Sequence, residues 1–301
     1  MSLSTGIAET SGVGVFRRGA DFCELCKPRV VVMVLVTAFV GFYIGSEEMP
    51  NYVGLFNMLF GTALAAGGTL ALNQFLECDT DALMKRTRHR PIPDGRVQPS
   101  EALWFGLILT FSGLAYLAMA VNAMSAGVTA FISIVYLLLY TPLKRLSSMC
   151  VPVGAVPGAL PPVIGWAAAR GTLDVDAWVL FAIMFLWQVP HTLAIAWLYR
   201  EDYAKAGMKF LPAIEPEGWS TKRQVLIYCT ALLVVSLLPS LLGLAGAVYF
   251  VVAFLLGLVF LASGLQLAIE SNTQGARRLL LASLIYLPSL LLAMALNRMP
   301  L

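Results

Sequence analysis

Two stretches of this chain, Ala102 to Leu143 and Gln224 to Ile269, carry no charged side chain at all. A helix crosses the hydrocarbon core of a bilayer in about 20 residues. Each stretch is therefore too long for one crossing and long enough for two. A soluble domain is near one quarter charged, whereas this 301-residue chain is 12% charged and 59% hydrophobic. It reads as an all-α polytopic membrane protein.

Asn122 marks the turn between spans 3 and 4, and Gly243–Gly246 the turn between spans 7 and 8. Span 1 runs from about Pro28 to Gly45, span 2 over Tyr52–Leu76, and span 5 over roughly Val151–Ala169. Span 6 is roughly Ala177–Leu198 and span 9 about Leu279–Leu296. Pro152, Pro157, Pro161 and Pro162 with three glycines predict that span 5 is broken or kinked, as a packing irregularity or as the wall of a cavity. Residues 1–20 are polar, lack an apolar leader core and read as a disordered tail; 21–301 form one nine-helix transmembrane domain.

The basic residues test that count. With nine spans, the N-terminal segment and the loops after spans 2, 4, 6 and 8 share one side, and hold eighteen of the twenty Lys and Arg; only Arg170 and Arg298 fall opposite. Positively charged loops stay cytoplasmic. The net charge of +3 is too small to suggest a nucleic-acid partner. Five scattered cysteines make no disulfide framework, and Cys23 and Cys26 form a lone CxxC without a partner pair for zinc.

Asn73, Glu77 and Asp81 close span 2 at intervals of four. On a helix they project within an arc of about 80° over roughly 12 Å. Lys85, Arg86, Arg88 and Arg90 follow. Acids beside cations suit a magnesium-bridged diphosphate, with oxygens on the metal and cations on the phosphates. The plainer reading is a helix end with solvated juxtamembrane charge. The loop after span 6 repeats the mixture with Glu201, Asp202, Tyr203, Lys205 and Lys209. Both loops fall on one side, so two acidic clusters flanked by Arg86, Arg90, Lys144, Lys205 and Lys27 or Arg29 can face one cavity. The apolar bundle would then take a lipid tail and shelter an allylic cation.

NQFLECDTDALMKRTRHRPIP, YTPLKR, GAVPGALPPVIGWAAARG, WQVPH and REDYAKAGMKFLP, together with KPRV at 27–30, resemble the protohaem IX farnesyltransferase (haem O synthase) family of the UbiA prenyltransferase superfamily. The resemblance implies a nine-helix bundle in a bacterial cytoplasmic membrane. It would move farnesyl from farnesyl diphosphate to a vinyl group of haem b with Mg²⁺, and pass haem O to a haem A synthase or terminal oxidase. It assigns Asn73, Glu77, Asp81 and Asp202 to metal and catalysis, and Lys27, Arg29, Arg86, Arg90, Lys144, Arg145, His191, Tyr203 and Lys205 to substrate. Two departures stand out. Asp202 has Leu198 and Ala206 four residues away where quinone-directed relatives carry a second acid, and Cys150 stands where the family often has Asn.

His191 lies inside span 6, where an ionisable residue is rare. It reads either as a haem-iron ligand or proton carrier, or as a histidine bonded to Gln188 or to a carbonyl freed by Pro190. His89, in the basic loop, reads as solvated. Two other functions compete: the same fold with a quinone precursor or chlorophyllide as acceptor, and a transporter or lipid channel with a charged gate.

Overall fold

The computed structural model describes residues 17–47 and 50–299. Among them nine helices are long and apolar enough to cross a membrane. They are Pro28–Gly45, Tyr52–Leu76, Pro99–Ala120, Ala123–Leu146, Cys150–Arg170, Val175–Leu198, Trp219–Leu241, Ala247–Glu270 and Thr273–Leu296, spans 1 to 9 in order. No strand occurs among the described residues; an isolated antiparallel bridge pairs Ala245 with Arg298.

The uncharged runs divide where the turn residues stand. The Asn122 side chain accepts the Ser125 N–H at 2.8 Å and caps span 4. Span 9 starts earlier than its apolar run, at Thr273, because Asn272 caps it by accepting the Gly275 N–H at 2.8 Å. Arg277 and Arg278 thus lie within the helix, and Arg278 pairs with Glu270 at 2.7 Å. The expected tail is partly corrected. Residues 17–25 are helical, and the rest of that tail lies outside the described residues. Ion pairs from Arg18 to Glu101 and from Arg96 to Asp21 and Glu24 bind this helix to the first turn of span 3 and to the loop before it.

Spans 1 and 5 touch backbone to backbone. A Cβ on Gly41 would stand 1.9 Å from the Pro162 carbonyl oxygen, and one on Gly165 1.9 Å from that of Ala38. Only glycine allows the contact, and small residues are how helices approach closely in lipid. Span 6 packs against spans 5, 7 and 9. Trp166, Phe260, Tyr249 and Tyr286 are the largest side chains sealed in the core.

Three of the helices that line the central cavity or end beside it are irregular. Span 5 consists of two helices, Cys150–Ala159 and Pro161–Arg170, because Pro161 and Pro162 have no N–H to continue the ladder. Span 4 passes through a π-helical turn at Val135–Tyr140. Span 2 ends at Leu76 and a short helix, Cys78–Leu83, follows it. All three lie around one cavity.

Candidate active site

That cavity, of about 250 Å³, lies among spans 1, 2, 4, 5 and 6. Its walls are mainly apolar, with Thr62, Thr69, Thr129, Ser133, Tyr136, Tyr140 and Gln188 as polar exceptions. The π-turn carries two of these, Tyr136 and Tyr140, whose rings lie 5.3 Å apart between centroids and tilted by 47°. Span 5 makes room for the others' heads. A Cβ on Gly154 would lie 2.4 Å from the Tyr140 ring, and one on Gly158 2.2 Å from Oε1 of Gln188. The prolines and glycines that predicted a broken span 5 therefore shape a cavity wall.

The charged cluster caps the cavity. Span 2 does not continue through Glu77 as one regular helix: Glu77 has φ −102° and ψ 6°. The i+4 bonds survive nonetheless, with the Glu77 N–H donating to the Asn73 carbonyl at 3.0 Å and the Asp81 N–H to that of Glu77 at 2.8 Å. Asn73, Glu77 and Asp81 are all buried. Each holds a cation. Lys27 donates to Asn73 Oδ1 at 3.0 Å, Lys144 to Glu77 at 2.7 Å and Arg90 to Asp81 at 2.5 Å.

A polar ladder joins span 2 to span 4. Thr69 meets Ser133 at 2.8 Å, Asn73 Nδ2 donates to Thr141 at 3.1 Å, and Lys144 reaches Glu77. Lys144 also lies 4.4 Å above the centre of the Tyr140 ring, so this aromatic face separates the charged cap from the apolar chamber.

The loop after span 6 closes over the same end. The Lys209 N–H donates to the Lys144 carbonyl at 2.7 Å. Arg86 donates to the Tyr203 hydroxyl at 3.3 Å and lies 5.1 Å from the Tyr199 ring centre. Tyr203 is held in turn by Phe210, at 4.5 Å between centroids. The loops after spans 2, 4 and 6 thus meet on one side. Asp202 lies half-buried in the first turn of Arg200–Lys205, next to Tyr203. Arg29, Arg145 and Lys205 are exposed; of these, Arg145 lines a groove of about 640 Å³ that also contains Glu77, Thr141 and Met208.

Burial works against the charge on Glu77, but Lys144, its hydrogen bond and Lys27 outweigh it and hold the carboxyl below its ordinary value. Burial raises Asp81 in spite of the Arg90 guanidinium. Burial, with Arg90 and Lys144 nearby, pushes Lys27 down to about 7. An acid whose charge is under-compensated and an amine crowded by like charge both favour a ligand that brings a divalent cation and an anion together.

Among the described residues no group of three or more His, Cys, Asp and Glu side chains is placed to hold a metal by itself. The donor set still fits magnesium. That ion keeps water and takes one or two carboxylates plus substrate phosphates rather than a full protein cage, and Asn73, Glu77 and Asp81 offer hard oxygens in one row.

His191 bonds neither Gln188 nor a carbonyl freed by Pro190. Its Nδ1 lies 2.7 Å from the hydroxyl of Ser283 on span 9, and its ring stacks on Trp187. Cys150 is buried in the core cluster rather than at the site. His89 is exposed. Sequence reasoning passed over Tyr136, Tyr140, Thr141 and Ser283, and weighed Gln188 only as a partner of His191. Tyr140 was within reach, four residues before Lys144.

The UbiA prenyltransferase family profile matches residues 34–290. The chain is 46% identical over 287 residues to a protein named protoheme IX farnesyltransferase from Solibacter usitatus, spanning 92% of this chain and 98% of that one. It is 44% identical to one of the same name from Myxococcus xanthus, over 93% and 95%. In fold it is similar to a digeranylgeranylglyceryl phosphate synthase (TM-score 0.77, 18% identity, 93% and 98% covered). It is also similar to an Archaeoglobus fulgidus UbiA homologue bound to DMAPP and Mg²⁺ (TM-score 0.65, 16% identity, 91% and 99% covered). With a profile that spans most of the chain, and relatives alike from end to end, the chain belongs to the UbiA prenyltransferase family.

Proposed function

We propose that this enzyme transfers the farnesyl group of farnesyl diphosphate to a vinyl group of haem b, giving haem O. The observation that carries the reading is end-to-end identity of 46% with a protoheme IX farnesyltransferase. The geometry supports it: a buried cluster of acids and cations lies over an apolar chamber.

Asn73, Glu77 and Asp81 would hold Mg²⁺, with Asp202 contributing from the loop after span 6. The ion, when bound, would neutralise the diphosphate leaving group. As the diphosphate arrives, Lys27 turns from the Asn73 amide, and Lys144 and Arg90 from Glu77 and Asp81, to its oxygens, and Arg86 and Lys205 stand at the rim. Arg29, Arg145 and Tyr203 complete that rim. The C1–O bond breaks with its electron pair leaving on the diphosphate. The ring faces of Tyr136 and Tyr140 shelter the allylic cation from water. The vinyl π electrons form the new C–C bond. Water adds to the resulting porphyrin-side cation and loses a proton, giving the hydroxyethylfarnesyl group.

The basic loops and the site are assigned to the cytoplasmic side of a bacterial membrane, supported by the eighteen-to-two division of Lys and Arg. Haem O is too apolar to travel freely in water, so the proposal extends to hand-over within the membrane to a haem A synthase or terminal oxidase. The test is purified protein with haem b, farnesyl diphosphate and Mg²⁺, followed by mass spectrometry of the haem. A farnesyl adduct that disappears with EDTA is expected. Prenylation of a quinone precursor with haem b untouched would refute the acceptor.

A further inference from the structure

Ser283, sealed in the core of span 9, grips two side chains of span 6 at once. Its hydroxyl lies 2.7 Å from Nδ1 of His191, and its carbonyl accepts the indole N–H of Trp187 at 2.9 Å. The same hydroxyl lies 2.6 Å from the Leu280 carbonyl. A carbonyl can only accept, so satisfying both contacts sends the hydroxyl proton to Leu280 and leaves the serine oxygen to accept from His191. The imidazole then carries its proton on Nδ1 and its lone pair on Nε2.

The ring is also fixed in orientation. Trp187 stacks on it with centroids 4.7 Å apart and 20° between the planes. Nε2 has no hydrogen-bond partner among the described residues, yet it is not among the sealed polar atoms that lack one. Its lone pair is therefore accessible. His191 stands seven residues inside the Leu198 end of span 6, roughly 10 Å below the charged cap. Gln188, about 60° round the same helix, lines the central cavity. A plain tie between spans needs no imidazole. A neutral imidazole with one nitrogen anchored and the other bare is the form that ligates a metal, and the anchoring partner sets the tautomer.

Resting on the function proposed above, the geometry points to Ser283 as the positioning residue that presents Nε2 of His191 to the iron of the porphyrin acceptor. Span 6 then carries both substrates, with Gln188 against the isoprenoid and His191 under the macrocycle.

The test uses full-length protein in lipid nanodiscs, titrated with ferric haem b and with metal-free protoporphyrin. Wild type should show the absorption spectrum of imidazole-ligated iron. His191→Ala should lose it, and added imidazole should restore it. Ser283→Ala should weaken haem binding by about 10-fold or more while leaving metal-free protoporphyrin binding unchanged, and Ser283→Thr, which keeps the hydroxyl, should recover it. If His191→Ala and Ser283→Ala lower only the melting temperature and leave the iron spectrum and haem affinity as they were, the contact is a tie between spans and the inference fails. Farnesylation of haem b by wild type is scored separately. No product would refute the proposed function, whereas product together with an unchanged iron spectrum in His191→Ala would refute this inference alone.

Discussion

Lys27 stands at the entrance to span 1 in the left-handed region, with φ 49°. That conformation costs an ordinary L-residue about 1 kcal/mol or more, and here it aims the ammonium at Asn73. Its pKa, pushed down to about 7 by burial and then by Arg90 and Lys144, has a signed consequence. The unfolded chain binds the extra proton between about 7 and 10.5, so Lys27's contribution to stability rises with pH across that window. The same rise would remove a charge proposed to hold the diphosphate. KM for farnesyl diphosphate should therefore increase above about pH 7 in steady-state assays, and Lys27→Arg should flatten the profile. Asp81→Ala and Asp202→Ala should each lower kcat by about 10²-fold or more, the scale of losing one preorganised charge partner, with membrane insertion intact by fractionation. Full activity in either would displace that residue from the proposed metal site.

At the level of single helices, glycine placement makes the sharpest claims. Gly165→Ala forces a Cβ onto the Ala38 carbonyl and should cost about 1–3 kcal/mol as an overpacking substitution. Gly127→Ala on span 4 meets nothing within 4 Å and should be neutral or slightly stabilising. Thermal unfolding in detergent would rank the two, and equal midpoints would contradict the packing of spans 1 and 5. Gly158→Ala should act on catalysis instead, because the added methyl displaces Gln188 from the chamber wall. Most helix ends were legible from charge, Asn and Gly. Span 9 was misjudged at its start because Arg277 and Arg278 read as loop when they lie in the second turn of the helix. The π-turn at Val135–Tyr140 left no mark in the sequence, since an all-apolar run looks the same in either helical pitch.

On the scale of the whole molecule, the loops after spans 2, 4 and 6 converge on one side, as the charge count required. Cys23 is exposed on that side. A membrane-impermeant maleimide should label it in inverted vesicles and not in right-side-out ones, while Thr172→Cys, opposite, on a background freed of the native cysteines, should show the reverse. The row Asn73, Glu77, Asp81 was readable because helical spacing is local. Which cation each would hold was not, since Lys144 and Lys27 approach from distant parts of the chain. Those pairings make the resting cap an ion exchanger whose exchange sites are already filled by its own amines and guanidinium. On the proposed metal site, free magnesium would have to compete with a tethered cation at Asn73, Glu77 and Asp81, whereas the metal arriving with its pyrophosphate would give each evicted cation a new anion in the same movement. Calorimetry should accordingly find feeble uptake of the bare ion and strong uptake once inorganic pyrophosphate is added.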